Sequence, residues 1–226
     1  MTSVPTRTGP TLRLGLWGAL IAAISLAGCA SDQGDYLQLG LLRQSLSDAF
    51  GGNSGDVTPS RALVDEADVP LILAEIDQHD VAAVIYPIEQ NGSVTTWTAT
   101  DKTMIALRSG QLVGSRGLAP DLMSASVPTL ADLRGGRPVQ RSHFYLGRDD
   151  QTERQDFTCT GSTEGAQVLT IIGLQFSTEV MAETCAGPSS TRFTNRYWVQ
   201  ADGTVRQSVQ WVGPDVGFLK LQRLDR

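Results

Sequence analysis

The sequence predicts a mainly β protein, a single antiparallel β-sandwich or barrel-like domain with one or two short helices near its N-terminus. Segments rich in β-branched and aromatic residues recur along the chain after residue 80, and such segments form strands. The pairs Asn91-Gly92, Ser109-Gly110 and Asp202-Gly203 separate several of them, and pairs of this kind make tight hairpin turns. No repeat of roughly 20 to 50 residues is present, which argues against a solenoid or propeller.

Helices are expected only before the strands begin. Apolar residues recur at helical spacing over residues 36–50, which predicts one amphipathic helix. Gly51-Gly52 follows it directly, and glycine commonly ends a helix. A second short helix is possible between residues 62 and 76, and Pro70 would place its start near Val69.

Strands are expected from residue 81 to the end of the chain. Residues 118–138 contain several prolines and glycines and are predicted to be irregular. The segment 166–185 is predicted to form one long or two shorter strands. The predicted strands are 81–88, 93–100, the two arms of "TMIALRSGQLVGSRG", 138–148, 154–161, 166–185, 192–200, 204–212 and 218–224.

The first 28 residues have the layout of a secretory signal. Arg7 and Arg13 precede an apolar run over residues 14–24, which is shorter than the roughly 20 residues of a membrane-spanning helix. The run is followed by "LAGC", which ends at Cys29 and resembles the bacterial lipobox. In that motif the cysteine is lipidated and becomes the first residue of the mature chain. The alternative is a secreted protein with a chance cysteine.

Lipidation of Cys29 would hold the chain on a membrane through its N-terminus. Mature bacterial lipoproteins carry two or three acyl chains, such as palmitate, and each buried methylene contributes about 0.8 kcal/mol to membrane binding. Ala30 stands where an Asp would favour the inner membrane, so the sorting pattern favours the outer membrane. The resulting domain prediction is a signal peptide at 1–28, a lipid-anchored segment with helix and linker at 29–60, and a β-rich periplasmic domain at 61–226.

The two remaining cysteines, Cys159 and Cys185, form an even pair. In an oxidising compartment such a pair is expected to form a disulfide, which would stabilise the fold by about 3.5 kcal/mol on the chain-entropy relation. Two unlinked buried thiols are the alternative. No metal site is predicted, because the chain has only 2 histidines and no zinc-ligand spacing.

The charge of the chain restricts its partners. The formal net charge is −6, and removal of Arg7 and Arg13 with the signal makes the mature chain more acidic. Nucleic acid is excluded as a partner, because phosphate binding needs clustered basic residues. A broad electrostatic attraction to an anionic polysaccharide is disfavoured for the same reason, although a local basic patch remains compatible with the composition.

No catalytic residue and no cofactor is predicted. Asp149-Asp150 follow Gly147 and are expected in a solvated loop, since neighbours on a strand point to opposite faces. Arg141, His143 and Tyr145 alternate along one predicted strand and share a face. They could bind a sugar or a carboxylate, but a half-exposed sheet face without a ligand is favoured. The tryptophans are expected in the core, although such rings also stack on sugars.

Two stretches resemble a known family. "TWTATDKTMIALRSGQLVGSRGLAPDLM" and "RFTNRYWVQADGTVRQSVQWVGPD" are similar to the YjbF/GfcB family of exopolysaccharide and group 4 capsule lipoproteins. The resemblance implies a β-rich periplasmic domain on an outer-membrane lipid anchor, with a role in polysaccharide production or export and no known catalytic residues. Arg116 and Asp121, within the first stretch, either line a site or tie a loop together.

The function predicted is that of a non-enzymatic accessory lipoprotein in exopolysaccharide or capsule assembly or secretion. It would act by binding the exopolysaccharide or a polysaccharide-export protein. One alternative is a periplasmic glycan-modifying enzyme that uses an acid such as Asp121 or Asp150. The other is a purely structural lipoprotein of the cell envelope.

Overall fold

The computed structural model describes residues 58–118, 120–147 and 151–226. Cys29 and the predicted helix over residues 36–50 lie outside these ranges. Within them the chain forms two short helices, α1 (Arg61–Glu66) and α2 (Leu130–Arg134), and two 3-10 turns. The strands are β1 (Ile72–Ile76), β2 (Val81–Asn91), β3 (Val94–Thr98), β4 (Met104–Arg108), β5 (Gln111–Arg116), β6 (Leu122–Ser126), β7 (Val139–Leu146), β8 (Thr152–Ile171), β9 (Leu174–Ala186), β10 (Arg192–Val199), β11 (Val205–Gly213) and β12 (Gly217–Arg223).

The strands form one 12-stranded sheet in the order β5-β4-β3-β2-β1-β12-β11-β10-β9-β8-β7-β6. All described pairings are antiparallel, and the pair of β1 with β12 joins the first strand to the last. The two end strands meet where Leu122 N donates to Ser115 Oγ at 2.9 Å. The sheet is therefore nearly closed into a barrel, which confirms the mainly β prediction and selects the barrel-like alternative.

The interior of the barrel holds the main apolar core. Inward side chains of β1, β4 and β12 pack there, and the strands supply them at alternate positions. Trp97 of β3 and Tyr145 of β7 belong to the same cluster. A smaller cluster of Phe157, Phe193 and Trp211 surrounds the cysteine pair. Side-chain burial therefore follows the period-2 pattern on which the strand predictions depended.

The second predicted helix lies earlier and is shorter than expected, and its predicted start near Val69 is wrong. Ser60 caps α1 by accepting a hydrogen bond from Leu63 N at 3.3 Å, and the helix ends at Glu66. The residues from Ile72 to Ile76 form strand β1, which pairs with β2 on one side and β12 on the other. Pairing with both neighbours satisfies the backbone hydrogen-bonding groups of this segment. Its apolar residues follow helical spacing only weakly, so strand pairing determines its structure.

The middle of the chain shows one further difference and one confirmed alternative, the division of segment 166–185 between two strands. The segment predicted to be irregular contains β6 and α2, and Thr129 with Asp132 forms a capping box at the start of α2. The sequence "TLAD" carries that signal. The segment 166–185 divides at Ile172 and Gly173, whose φ angles of 42° and 78° make a tight turn between β8 and β9. Neither helix in the described ranges is long and apolar enough to cross a membrane.

Candidate functional site

A buried ion pair lies inside the barrel. Strand β7 directs Arg141 inward and strand β9 directs Glu183 towards it, and their exposed fractions are 2% and 0%. Arg141 Nε donates to Glu183 Oε1 at 2.9 Å, and Nη2 donates to Oε2 at 2.8 Å. This two-pronged geometry is the strongest arrangement for a guanidinium and a carboxylate.

The neighbours of the pair complete its hydrogen bonding. Asn195 Nδ2 and the Tyr197 hydroxyl donate to Glu183 Oε2 at 2.8 and 3.0 Å. The Asn195 Oδ1 in turn accepts from Trp211 N at 2.8 Å. Burial raises the pKa of Tyr197, so its hydroxyl stays protonated as a donor. A buried charge is tolerated when its partners are complete, and this pair therefore has the properties of a structural element.

His143 and Tyr145 continue the network towards β11. Tyr145 OH donates to Val212 O at 2.5 Å, so the hydroxyl can accept the proton of His143 Nδ1 at 3.0 Å. His143 Nε2 is then left to accept from Arg141 Nη1 at 3.4 Å. Burial and the charge of Arg141 lower the pKa of His143 to about 3. The imidazole is neutral at physiological pH and does not act as a proton shuttle there.

Three of the candidate binding residues therefore occupy the closed interior. Arg141, His143 and Tyr145 share one face of β7, as the alternation predicts, but that face is buried rather than half-exposed. The difference arises because barrel closure covers it with β9, β10 and β11. Sugar or carboxylate binding by these three stays an untested prediction, and it would require a ligand to enter the packed core.

Arg116 and Asp121 tie the loop between β5 and β6. Asp121 Oδ2 accepts from Gly117 N at 2.9 Å, and Oδ1 accepts from Leu118 N at 2.9 Å. The Ser115 hydroxyl donates to the same carboxylate at 3.1 Å. Arg116 Nη1 donates to the carbonyl of Ser115 at 2.6 Å. Of the two alternatives that the sequence left open, these contacts support a loop tie.

Cys159 and Cys185 lie directly opposite each other on β8 and β9 and form a disulfide. The predicted pairing is thus present. Their sulfur atoms and a Glu183 carboxylate oxygen lie within 4.8 Å of one another, a spacing that would suit a metal. The two sulfurs, however, are bonded to each other, and Arg141 neutralises the carboxylate charge of Glu183. The donors of this group are therefore already used within the protein.

A cleft of about 400 Å³ opens at one end of the barrel. It lies between the turn joining β4 to β5 and the turn joining β10 to β11, above inward residues of β1, β3 and β12. Trp97 lines it together with a set of hydroxyl-bearing and charged residues. The hydroxyl-bearing ones are Ser93, Thr95, Ser109, Thr204 and Ser208, and the charged ones are Asp202, Arg206 and Arg223.

The side chain of Gln210 holds one wall of this cleft in place. Its Oε1 accepts from Leu112 N at 2.8 Å, and its Nε2 donates to Gly110 O at 2.9 Å. Gly110 has φ 82°, and a Cβ there would lie 2.6 Å from Val205 Cβ. Only glycine allows this close approach, so the Gly110 turn rests directly on β11.

Arg206 is the most unusual charged residue of the cleft. It is only 7% exposed, its Nε donates to Gln200 Oε1, and its Nη1 donates to Asp225 O at 2.7 Å. The guanidinium carbon lies 4.3 Å from the centre of the Phe176 ring. No ion pair in the described residues includes Arg206. Burial lowers its pKa, which reflects the cost of this desolvated charge.

Trp97 lines the cleft and also belongs to the main apolar core. It is 5% exposed, and within the described ranges its indole Nε1 is buried without a hydrogen-bond partner. The core position predicted for Trp97 is confirmed, whereas Arg206 was not among the predicted site residues. The sequence does carry a signal for Arg206. Arg206, Ser208 and Gln210 alternate along β11 and face inward, where a strand that faces a core would carry apolar residues.

The comparisons with known proteins agree with this architecture. The group 4 capsule polysaccharide lipoprotein family, gfcB and YjbF, matches residues 43–224. The chain belongs to this family. The crystal structure of the hypothetical lipoprotein YmcC from Escherichia coli K12 is similar, with a TM-score of 0.68 and 18% sequence identity over 82% of this chain and 94% of that chain. At that identity the similarity establishes a common fold. Among curated proteins, none matches the chain.

Proposed function

We propose that this member of the capsule polysaccharide lipoprotein family is an accessory protein of polysaccharide assembly or secretion that binds glycan in the cleft beside Trp97. The observation that carries the proposal is the lining of that cleft, a tryptophan surrounded by hydroxyl and charged side chains. Its volume of about 400 Å³ falls in the range of small-ligand sites, roughly 300–1,000 Å³. Family membership supplies the polysaccharide context.

The surroundings of the carboxylates favour binding over catalysis. A general acid or base must present a free oxygen to its substrate. Asp121 directs both carboxylate oxygens at its own loop, and Glu183 is enclosed by Arg141, Asn195 and Tyr197. Asp150 lies outside the described residues. We therefore propose a non-enzymatic role.

The lipid anchor belongs to the same proposal. Cys29 would carry the acyl chains, and Ala30 after it favours the outer membrane. The β domain would then stand in the periplasm beside the export route of the polysaccharide. In the producing cells, Cys29→Ala should release the protein from the membrane fraction and end the incorporation of labelled palmitate. Continued labelling of this variant would contradict the assignment of Cys29.

The binding proposal is tested with the full chain purified in detergent. Isothermal titration with fragments of the polysaccharide that the producing organism secretes should give saturable binding. Thr95→Trp fills part of the cleft with a bulky ring and should weaken that binding at least about tenfold, or about 1.4 kcal/mol. Thr160→Trp, on the exposed face of β8, is the matched control and should leave it unchanged.

A deletion of the gene tests the pathway. Surface and secreted polysaccharide should fall when the chain is absent and return with the wild-type gene. Unchanged polysaccharide would contradict the accessory role. Capture of export proteins by a chain that binds no glycan would replace the glycan proposal with a scaffold.

A further inference from the structure

We propose that the cleft recognises a carboxylate-bearing sugar, with Arg206 as the contact for the carboxylate. This inference rests on the proposed function, because it names the class of glycan that the cleft takes. The observation behind it is a guanidinium that is 7% exposed, lines the cleft and has no carboxylate partner in the described part of the chain. A buried charge is costly unless it is paired.

The hydrogen-bond geometry of Arg206 leaves one edge available. A guanidinium has five N–H donors in one plane. Within the described ranges, the bonds of Arg206 use one donor on Nε and one on Nη1, towards Gln200 and the carbonyl of Asp225. One N–H on Nη1 and both on Nη2 have no partner there, and Nη1 and Nη2 together form one edge of the guanidinium. Such an edge matches the two oxygens of a carboxylate.

The acidic side chains near Arg206 are engaged elsewhere. Both oxygens of Asp225 accept from Arg223 Nε, at 2.9 and 3.0 Å. Asp202 is exposed, and its Oδ1 accepts from Thr204 N at 2.9 Å to fix the β10–β11 turn. Phe176 covers one face of the Arg206 guanidinium. The carboxylates of Asp225 and Asp202 thus act on Arg206 only through space, and a ligand carboxylate would be the first to bond directly to its guanidinium.

The remaining lining favours a sugar as the bearer of that carboxylate. The indole of Trp97 lines the cleft, and its buried N–H has no hydrogen-bond partner in the described ranges. The hydroxyls of Ser93 and Thr95, which line the cleft and are at least partly exposed, can exchange hydrogen bonds with sugar hydroxyls. The chain as a whole carries a net charge of −6, which repels a long polyanion. Recognition is therefore confined to one acidic unit seated in the cleft.

Matched ligands test this inference. The full chain in detergent is titrated with trimers of galacturonic, glucuronic and mannuronic acid and with the methyl ester of each trimer. The ester keeps the sugar and removes the charge. At least one acid should bind about tenfold to a hundredfold more tightly than its own ester, the range for a charge-assisted hydrogen bond. Inorganic phosphate should not compete with it.

Variants assign that preference to Arg206. Arg206→Gln should remove the difference between acid and ester, and Arg206→Lys should keep part of it. Arg196→Gln, which breaks an exposed pair with Glu164, is the matched control and should change nothing. Asp202→Asn removes a negative charge from the cleft and should strengthen binding of the acid. Circular dichroism of each variant verifies that the fold is retained.

The outcomes separate this inference from the proposed function. If esters and acids bind equally and Thr95→Trp weakens both, the cleft binds glycan but the carboxylate assignment is overturned. If phosphate displaces the acid, the site recognises a general anion and the sugar assignment is overturned. If neither the trimers nor the secreted polysaccharide binds, the proposed function fails as well.

Discussion

Two buried arginines of this barrel have opposite surroundings. Arg141, inside the barrel, meets a carboxylate with two hydrogen bonds and has complete neighbours. Arg206, at the cleft, is 7% exposed and is held by an amide, a backbone carbonyl and an aromatic ring. On our proposal, charge compensation distinguishes a structural charge from one available to a ligand. Burial alone does not.

The strongest test of this comparison is to remove the partner of Arg141. Glu183→Gln would leave the buried guanidinium uncompensated and should lower the free energy of unfolding by about 3–5 kcal/mol. Urea unfolding followed by tryptophan fluorescence measures it. Glu164→Gln, in the exposed pair with Arg196, is the matched control and should cost about 0–1 kcal/mol. Equal losses for both variants would contradict the structural role of the buried pair.

The disulfide should stabilise the same side of the barrel. Replacement of Cys159 and Cys185 together by Ala should lower the free energy of unfolding by about 3.5 kcal/mol, because the closed loop spans 26 residues. The same urea experiment measures the loss, and wild-type protein with a reducing agent should show a similar one. A reduced wild type as stable as the oxidised protein would show that the bond contributes nothing.

The neutral His143 should make the Arg141 region sensitive to acid. Its pKa is about 3 in the folded protein and about 6.5 when unfolded, so the unfolded chain binds the proton more readily. The stabilisation is present above pH 6.5 and is lost as the pH falls towards 3. Between pH 7 and pH 5 the loss should be about 2 kcal/mol.

Unfolding at several pH values measures this effect. His143→Gln should flatten the pH dependence over that interval. His79→Gln is the matched control, because His79 is exposed at a turn, and it should retain the wild-type slope. A steep slope that survives in the His143 variant would assign the acid sensitivity to other groups.

The smallest effect on stability is expected at Arg206. Arg206→Gln removes the free-energy cost of burying a charge that lacks a carboxylate partner. This saving should offset the loss of the hydrogen bonds and of the contact with Phe176. The free energy of unfolding should change by about 1 kcal/mol or less. A loss as large as that of Glu183→Gln would make Arg206 a structural residue and would end the contrast with Arg141.

Much of the fold could be predicted from the sequence because its signals are local. Turn pairs such as Ser109-Gly110 and strand alternation identified most hairpins, and the cysteine count identified the disulfide. Strand β1 was missed because its pairing with β12 joins residues far apart in the chain. The prediction divided strand β8 between the segments 154–161 and 166–185. The strand instead runs without a break from Thr152 to the turn at Ile172-Gly173.

The candidate site was less predictable because it depends on closure of the sheet. Alternation placed Arg141 and His143 on one face, but only the order of the strands shows that this face is enclosed. Arg206 could be assigned to the inward face of β11 by the same rule. Its lack of a carboxylate partner, and its contact with Phe176, depend on distant strands and could not be read from its neighbours in the sequence.

The Gln210 side chain affects how a ligand would bind in the cleft, both in affinity and in rate. It joins β11 to the turn at Gly110, and β11 also carries Arg206, so hydrogen bonds connect the two walls of the cleft. A ligand would meet a preorganised surface and would spend little affinity on ordering loops. Affinity differences among sugars should then arise mainly from how fast each one dissociates.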